Sequence, residues 1–271
     1  MKKVKTIILR TAGTNCDLET AYAFKKAGSE VDSVHINALI KRPASLLKYH
    51  IMAIPGGFTY GDDIASGKVL ANELKNSLQK EISAFISRGR LLIGICNGFQ
   101  VLVKMGILPD IGKKRDFSTQ ATLSLNDSGR FEDRWVYLKR GDRQGAGGER
   151  CVWTKGLPEV IYVPVAHAEG KFIPKDNAAL KKLQDNGQIV FRYCSRDGGD
   201  PVYPENPNGS ADNIAGVCDP TGRIMGMMPH PERHVTYLQH PNWRREGARA
   251  EGMGIGLKMF ENGVNFARKE L

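Results

Sequence analysis
No two of the five cysteines (Cys16, Cys96, Cys151, Cys194 and Cys218) stand in a CxxC pair, and their number is odd. That spacing gives no basis for a disulfide framework or a zinc site, so no metal is expected, and reduced thiols in a cytosolic setting fit it. Long apolar runs are missing too. Thr6-Ile7-Ile8-Leu9, bounded by Lys5 and Arg10, falls far short of a signal-peptide core, and no stretch reaches membrane-spanning length. A cytoplasmic protein without membrane contact is expected. No GxxxxGK[ST] loop is present, so the chain carries no nucleotide-binding signature of its own. Nor does a long basic run stand behind the net charge of +10. The densest clusters are Lys113-Lys114-Arg115 and Arg244-Arg245 with Arg249. Nucleic-acid binding would ask for a basic stripe with interleaved aromatics. A solvated basic surface, or a docking face for an acidic partner, is the better reading. Internal repeats and low-complexity segments are absent.

What is present is an alternation of short apolar runs with amphipathic stretches. Val4–Leu9, Val31–Ile36, Ile51–Ile54 and Leu91–Ile95 read as buried strands. Asp17–Ala27, closed by Gly28, the stretch from Gly67 to Ser87, and Phe99–Met105 read as helices between and after them. Such alternation predicts an α/β fold, a mostly parallel sheet with helices on both faces. Beyond about residue 110 the pattern turns to strands: Thr122–Leu125, Trp135–Leu138, Ile161–Val165, Ile189–Tyr193, Ile214–Val217 and Ile224–Met228. These are expected as mixed or antiparallel additions to the same sheet, so residues 1–271 should form a single domain. Gln144–Glu149 and Arg196–Ser210 read as loops, and Gly254–Arg268 as a closing helix.

The sharpest chemical signal is Gly94-Ile95-Cys96-Asn97-Gly98, set between a strand and a helix. It has the form of a nucleophile elbow with cysteine in the nucleophile position. Glycines on either side remove side chains that would collide in a tight strand-to-helix turn, and the helix N-terminus favours a thiolate. Such a nucleophile needs a base and a group to orient it. His230 and Glu232, in Met228-Pro229-His230-Pro231-Glu232-Arg233, fit those roles if the prolines hold the segment extended, since residues two apart then point the same way. A tetrahedral intermediate needs two donors for its oxyanion. The backbone N–H of Asn97 and one from the Gly57–Phe58 linkage, in Ile54-Pro55-Gly56-Gly57-Phe58, are the candidates. Gln100, four residues beyond Cys96, can reach back toward the pocket. Cys16, lacking an elbow and flanked by Asp17 and Glu19, reads as a structural thiol.

Taken together, Pro55-Gly56-Gly57, Gly94-x-Cys96-x-Gly98-x-Gln100 and Pro229-His230-Pro231-Glu232 resemble the triad-type glutamine amidotransferases. Longer stretches narrow the likeness: GGFTYGDDIASGKVLANEL (56–74), VAHAEGKF (165–172), YPENPNGS (203–210) and MGMMPHPERH (225–234). They resemble the glutaminase subunits (subunit I) of phosphoribosylformylglycinamidine synthases over nearly the whole chain. The resemblance implies a flavodoxin-like fold and a triad of Cys96 as nucleophile, His230 as general base and acid, and Glu232 as orienter. It implies L-glutamine as substrate and ammonia delivered to a separate synthetase subunit, often with a third small subunit. ATP, magnesium and formylglycinamide ribonucleotide would belong to that synthetase, with no cofactor in this chain. His167 and Glu169, in VAHAEG, match family positions without an assigned role, and their plain reading is a strand-end pair that stabilises the pocket. Extra length relative to compact relatives falls near 139–155 and 236–252. An amidotransferase subunit serving a different synthetase, or a non-catalytic regulatory subunit on the same scaffold, remain alternatives at this stage.

Overall fold
The computed structural model describes residues 2–112, 116–141, 150–245 and 252–271. The Lys113-Lys114-Arg115 cluster, the loop read at Gln144–Glu149 and Arg249 lie outside the described residues. Eleven strands are described: β1 Lys5–Arg10, β2 Glu30–His35, β3 Ile51–Ile54, β4 Leu91–Ile95, β5 Ala121–Ser124, β6 Glu132–Arg140, β7 Val160–His167, β8 Lys171–Pro174, β9 Ile189–Cys194, β10 Ile214–Cys218 and β11 Ile224–Met227. Six helices accompany them: α1 Asp17–Lys26, α2 Ile36–Lys41, α3 Lys68–Ser87, α4 Asn97–Lys104, α5 Asn177–Asp185 and α6 Ile255–Glu270.

Nine strands form one sheet in the order β2-β1-β3-β4-β11-β10-β9-β6-β7. The first five run parallel, and each remaining neighbour pair is antiparallel. All residues of β3 and β4 are buried, as parallel strands covered on both faces must be. Coverage follows from chain handedness. The β1–α1–β2 and β3–α3–β4 crossovers step in opposite directions, so right-handed connections place α1 and α3 on opposite faces. On one face Phe24 of α1 meets Phe260 of α6 edge-on at 4.9 Å and Trp153 at 6.4 Å. On the other, α3 lies against α4. The mixed sheet with antiparallel additions is the arrangement the strand pattern predicts. No helix among the described residues is long and apolar enough to cross a membrane.

Two local expectations need correction, and one helix has no clear sequence signal. Thr122–Leu125 corresponds to β5, which leaves the main sheet and pairs with β8 in a separate two-stranded ribbon. Ile36 does not end β2 but opens α2, where His35 Nδ1 accepts the Asn37 N–H at 3.2 Å. Helix α5 carries too narrow an apolar stripe to stand out, with Ala179 and Leu183 buried, and its clearest mark is Asp176, whose carboxylate accepts the Ala179 N–H at 2.7 Å.

Candidate active site
Ligand sites in open α/β sheets gather where the carboxyl ends of the strands face a reversal in strand order. Here the ends of β1, β3, β4 and β11 bring together Cys16, Gly57, Cys96 and His230 around a cavity of about 160 Å³. Cys96 sits between β4 and α4 with φ 50° and ψ −106°, a backbone conformation that only its surroundings can enforce. Those surroundings are tight. A Cβ on Gly98 would overlap the Ile54 carbonyl, and one on Gly94 would lie 2.5 Å from the Gly98 oxygen. The Cys96 N–H donates to the Met227 carbonyl at 2.8 Å, tying the turn to the end of β11. Its sulfur lies 3.6 Å from the Ala166 carbonyl oxygen.

His230 follows β11 and is buried, with its backbone N–H donating to Pro164 O at 2.8 Å. Its Nδ1 is 2.7 Å from Glu232 Oε1. An ionised carboxylate can only accept, so Nδ1 is the donor to Glu232 and Nε2 is the nitrogen left to exchange a proton with Cys96. Nε2 is buried with no hydrogen-bond partner in the protein. Burial pulls the imidazole down, but the Glu232 carboxylate, helped by the Cys96 and Cys16 sulfurs, outweighs it. The ring is held well above the ordinary histidine range. The pairing of His230 with Glu232 is as expected, but its backbone reason differs. Pro231–Arg233 is a 3-10 turn, not an extended segment, and that turn folds the carboxylate back onto the ring.

The other expected residues divide. Gly57 lines the cavity with φ 153°, and a Cβ there would lie 2.6 Å from the Gly13 oxygen. The Phe58 N–H does not face the pocket: it donates to Gly13 O at 2.8 Å. Asn97 opens α4, where a helix leaves its first N–H groups without intrahelical partners. Gln100 is buried with both amide ends engaged, accepting from Asn97 Nδ2 at 3.0 Å and donating to Glu169 O at 2.6 Å. It therefore braces the site and does not line the cavity. The Asn97 side chain is a hub that the sequence reading overlooked. It accepts from Thr59 Oγ1 at 2.7 Å and donates to Asp62 Oδ1 at 3.2 Å. Glu169 completes the brace by accepting the Ser66 N–H at 3.2 Å.

Cys16, read from sequence as structural, lines the same cavity as Cys96. Its thiol donates to Asn15 Oδ1 at 3.1 Å, accepts from Arg233 Nη2 at 3.1 Å, and lies 3.9 Å from His230 Nδ1. Ligand atoms of Cys16, His230 and Glu232 all fall within 4.8 Å of one another. A metal ion there would break the His230–Glu232 bond and face the Arg233 cation, so the donor set suits a catalytic pair better than a metal.

The family whose sequence profile fits this chain is the CobB/CobQ-like glutamine amidotransferase domain, matched over residues 3–267. The chain belongs to this glutamine amidotransferase family. The amidotransferase is 50% identical over 270 residues to the phosphoribosylformylglycinamidine synthase subunit PurQ of Dehalococcoides mccartyi, covering 99% of this chain and 100% of that one. With the corresponding PurQ of Methanococcus maripaludis, identity is 42%, covering 98% of each. Among solved structures it resembles a chain of PurLQS from Thermotoga maritima, with a TM-score of 0.70, 28% identity, and 98% and 99% of the two chains covered. End-to-end alignment with the Dehalococcoides relative means that the length near 139–155 and 236–252 is not peculiar to this amidotransferase.

The stretch 206–210 buttresses the site from behind. Asn208 Nδ2 donates to Gly170 O at 2.9 Å and to the Tyr193 hydroxyl at 3.1 Å, and Ser210 Oγ accepts the Phe172 N–H at 2.9 Å. They hold the end of β7, with Ala166 and His167, and the turn after it, which carries Glu169. At that strand end His167 Nδ1 donates to Asn126 Oδ1 at 3.1 Å, and Nε2 is left buried without a hydrogen-bond partner. Burial, with the nearby His230, pushes the His167 imidazole down from 6.5 to about 3. It stays neutral when folded but takes a proton near its ordinary value when unfolded, so stability is lost as pH falls from 6.5 toward about 3. Urea unfolding across that window should show His167→Gln reducing the slope of stability against pH by about 1.4 kcal/mol per unit. An unchanged slope would mean that His167 is charged in the folded protein.

Proposed function
We propose that this amidotransferase is the glutaminase subunit of a phosphoribosylformylglycinamidine synthase, hydrolysing L-glutamine through a Cys96 thioester. The observation that carries the mechanism is the His230 Nδ1–Glu232 bond of 2.7 Å, which leaves Nε2 open beside the Cys96 cavity. His230 Nε2 takes the Cys96 proton as the sulfur attacks the carboxamide carbon. The tetrahedral intermediate collapses as His230 returns that proton to the departing nitrogen, releasing ammonia and leaving a thioester. Water then attacks, with His230 again taking a proton, and glutamate leaves as the Cys96 thiol is restored. Glu232 stabilises the imidazolium that forms in both halves. The proposed oxyanion donors are the Asn97 N–H and the N–H of the Gly57–Phe58 linkage, the latter engaged by Gly13 O until the partners dock.

The ammonia passes to a synthetase subunit that uses ATP, magnesium and formylglycinamide ribonucleotide, with a third small subunit in the complex. The names of the relatives support this, and so does the exposure of Phe58 and Phe131, whose rings pair at 6.1 Å beside the cavity. Such exposed aromatics suit a partner-covered rim. The whole chain acts as one glutaminase unit in the cytoplasm. The test is glutamate release in the presence of the partners. Glu232→Gln should lower it by roughly 10²–10⁴-fold, because His230 keeps a hydrogen-bond partner but loses stabilisation of its charged form. Unchanged turnover in Glu232→Gln would remove Glu232 from the mechanism.

A further inference from the structure
Two oppositely charged side chains on the cavity wall have no place in the mechanism above. We infer that Arg233 and Asp133 bind the α-carboxylate and α-ammonium groups of the substrate and so make the Cys96 cavity selective for an α-amino acid amide. The inference rests on the glutaminase reading. Both side chains line the same cavity as Cys96 and His230. At about 160 Å³ the cavity is smaller than sites for drug-sized ligands, which run from about 300 Å³.

Arg233 is placed by the 3-10 turn that begins at Pro231, and His230 and Arg233, either side of that turn's Pro231-Glu232, both line the cavity. Its guanidinium is weakly engaged. Nη2 rests 3.1 Å from the Cys16 sulfur, and Nε lies 3.9 Å from Glu19 Oε1. Burial pushes the Cys16 thiol up, against the pull of His230 and Arg233, so the sulfur facing Arg233 is a neutral thiol. A neutral sulfur is a poor acceptor, whereas a carboxylate takes a guanidinium bidentately. An arriving α-carboxylate would therefore displace the weaker contact.

Asp133 reaches the cavity by strand register. It stands opposite Ala166 in the β6–β7 pairing, and Ala166 carries the carbonyl beside the Cys96 sulfur. The neighbouring Arg134 is paired with Glu132, and Asp133 forms no ion pair with a described residue. A glutamine whose carboxamide lies at Cys96 directs its two charges away from the sulfur, toward the remaining walls. The amides of Asn97 and Gln100 cannot serve there, since each is spent on the loops around it.

The test uses three amides with the assembled complex: glutamine, γ-aminobutyramide, which lacks the α-carboxylate, and glutaramate, which lacks the α-ammonium. Arg233→Met should raise KM and lower kcat/KM for glutamine by roughly 10–10²-fold, the loss expected of a charge-assisted pair. For γ-aminobutyramide the same variant should stay close to wild type. Asp133→Asn should show the matching pattern, losing glutamine efficiency while sparing glutaramate. Arg233→Lys should recover part of the loss, and iodoacetamide should alkylate Cys96 in every variant at the wild-type rate. A structural role would instead depress all three amides by one common factor. That common factor, in variants whose Cys96 alkylation is normal, would overturn the inference. A wild-type complex that releases no glutamate would instead overturn the glutaminase reading itself.

Discussion
Cys96→Ala is expected to abolish glutamine-dependent glutamate release, a fall on the order of 10⁵–10⁶-fold, because no thioester can form without the sulfur. The loss should be confined to one half of the reaction. In the complex, added ammonium salt should still support synthesis, because the acceptor chemistry is proposed for another subunit. The substitution is also structurally mild. Alanine removes one sulfur from a residue whose turn is fixed by Gly94, Gly98 and the Met227 carbonyl. Ammonium-supported synthesis and glutamate release, measured on the same preparation, separate the two halves. Wild-type glutamate release by Cys96→Ala would refute the mechanism. Failure of ammonium to rescue would mean that Cys96 also maintains the complex.

The second large effect concerns the partners. The isolated chain should hydrolyse glutamine roughly 10²–10³-fold more slowly than the complex, the cost of one missing oxyanion donor. The Phe58 N–H is turned away onto Gly13, and the adjoining Gly57, at a φ of 153°, has no side chain to oppose reorientation of that peptide once the contact is broken. The segment that follows is under backbone strain, with Tyr60, Asp62 and Ile64 all at positive φ. Ile64 is 88% exposed, an apolar β-branched side chain that a docked partner would cover. Thr59 and Asp62 of this segment hold the Asn97 side chain, so movement there is felt next to Cys96. Glutamate release should therefore rise on adding the synthetase, the small subunit, ATP and ribonucleotide, and the association should weaken with salt. Equal turnover by the lone chain would end the coupling argument while leaving the triad intact.

Much of this architecture could be read from the chain because burial on both sheet faces writes itself as continuous apolar runs. Ile51–Ile54 and Leu91–Ile95 match β3 and β4 residue for residue. The elbow was equally legible, since close approach of Ile54 and α4 permits only glycine at 94 and 98. Long-range contacts were not. Nothing local distinguishes Cys16 from a buried structural thiol, because its place beside His230 depends on β1 and β11 ending at the same edge. Arg233 and Asp133 were invisible for the same reason. The His230–Glu232 pairing was foreseen with a wrong backbone, since the prolines that suggest an extended segment also begin a 3-10 turn. For Phe58, the N–H direction is set by a bridge to the 13–15 loop, which the Gly-Gly signal alone does not encode.

The central claim is that Cys96 is the nucleophile of a glutamine-consuming site, and covalent labelling tests it most directly. The complex would be treated with a glutamine-like electrophile, with and without competing glutamine, and the modified peptide identified by mass spectrometry. The account predicts one adduct, on Cys96, formed with loss of glutaminase activity and suppressed by glutamine. Cys16 is the demanding control, because it lines the same cavity and touches the same histidine. Faster labelling of Cys16, or of buried Cys151, Cys194 or Cys218, with Cys96 left unmodified, would contradict the account.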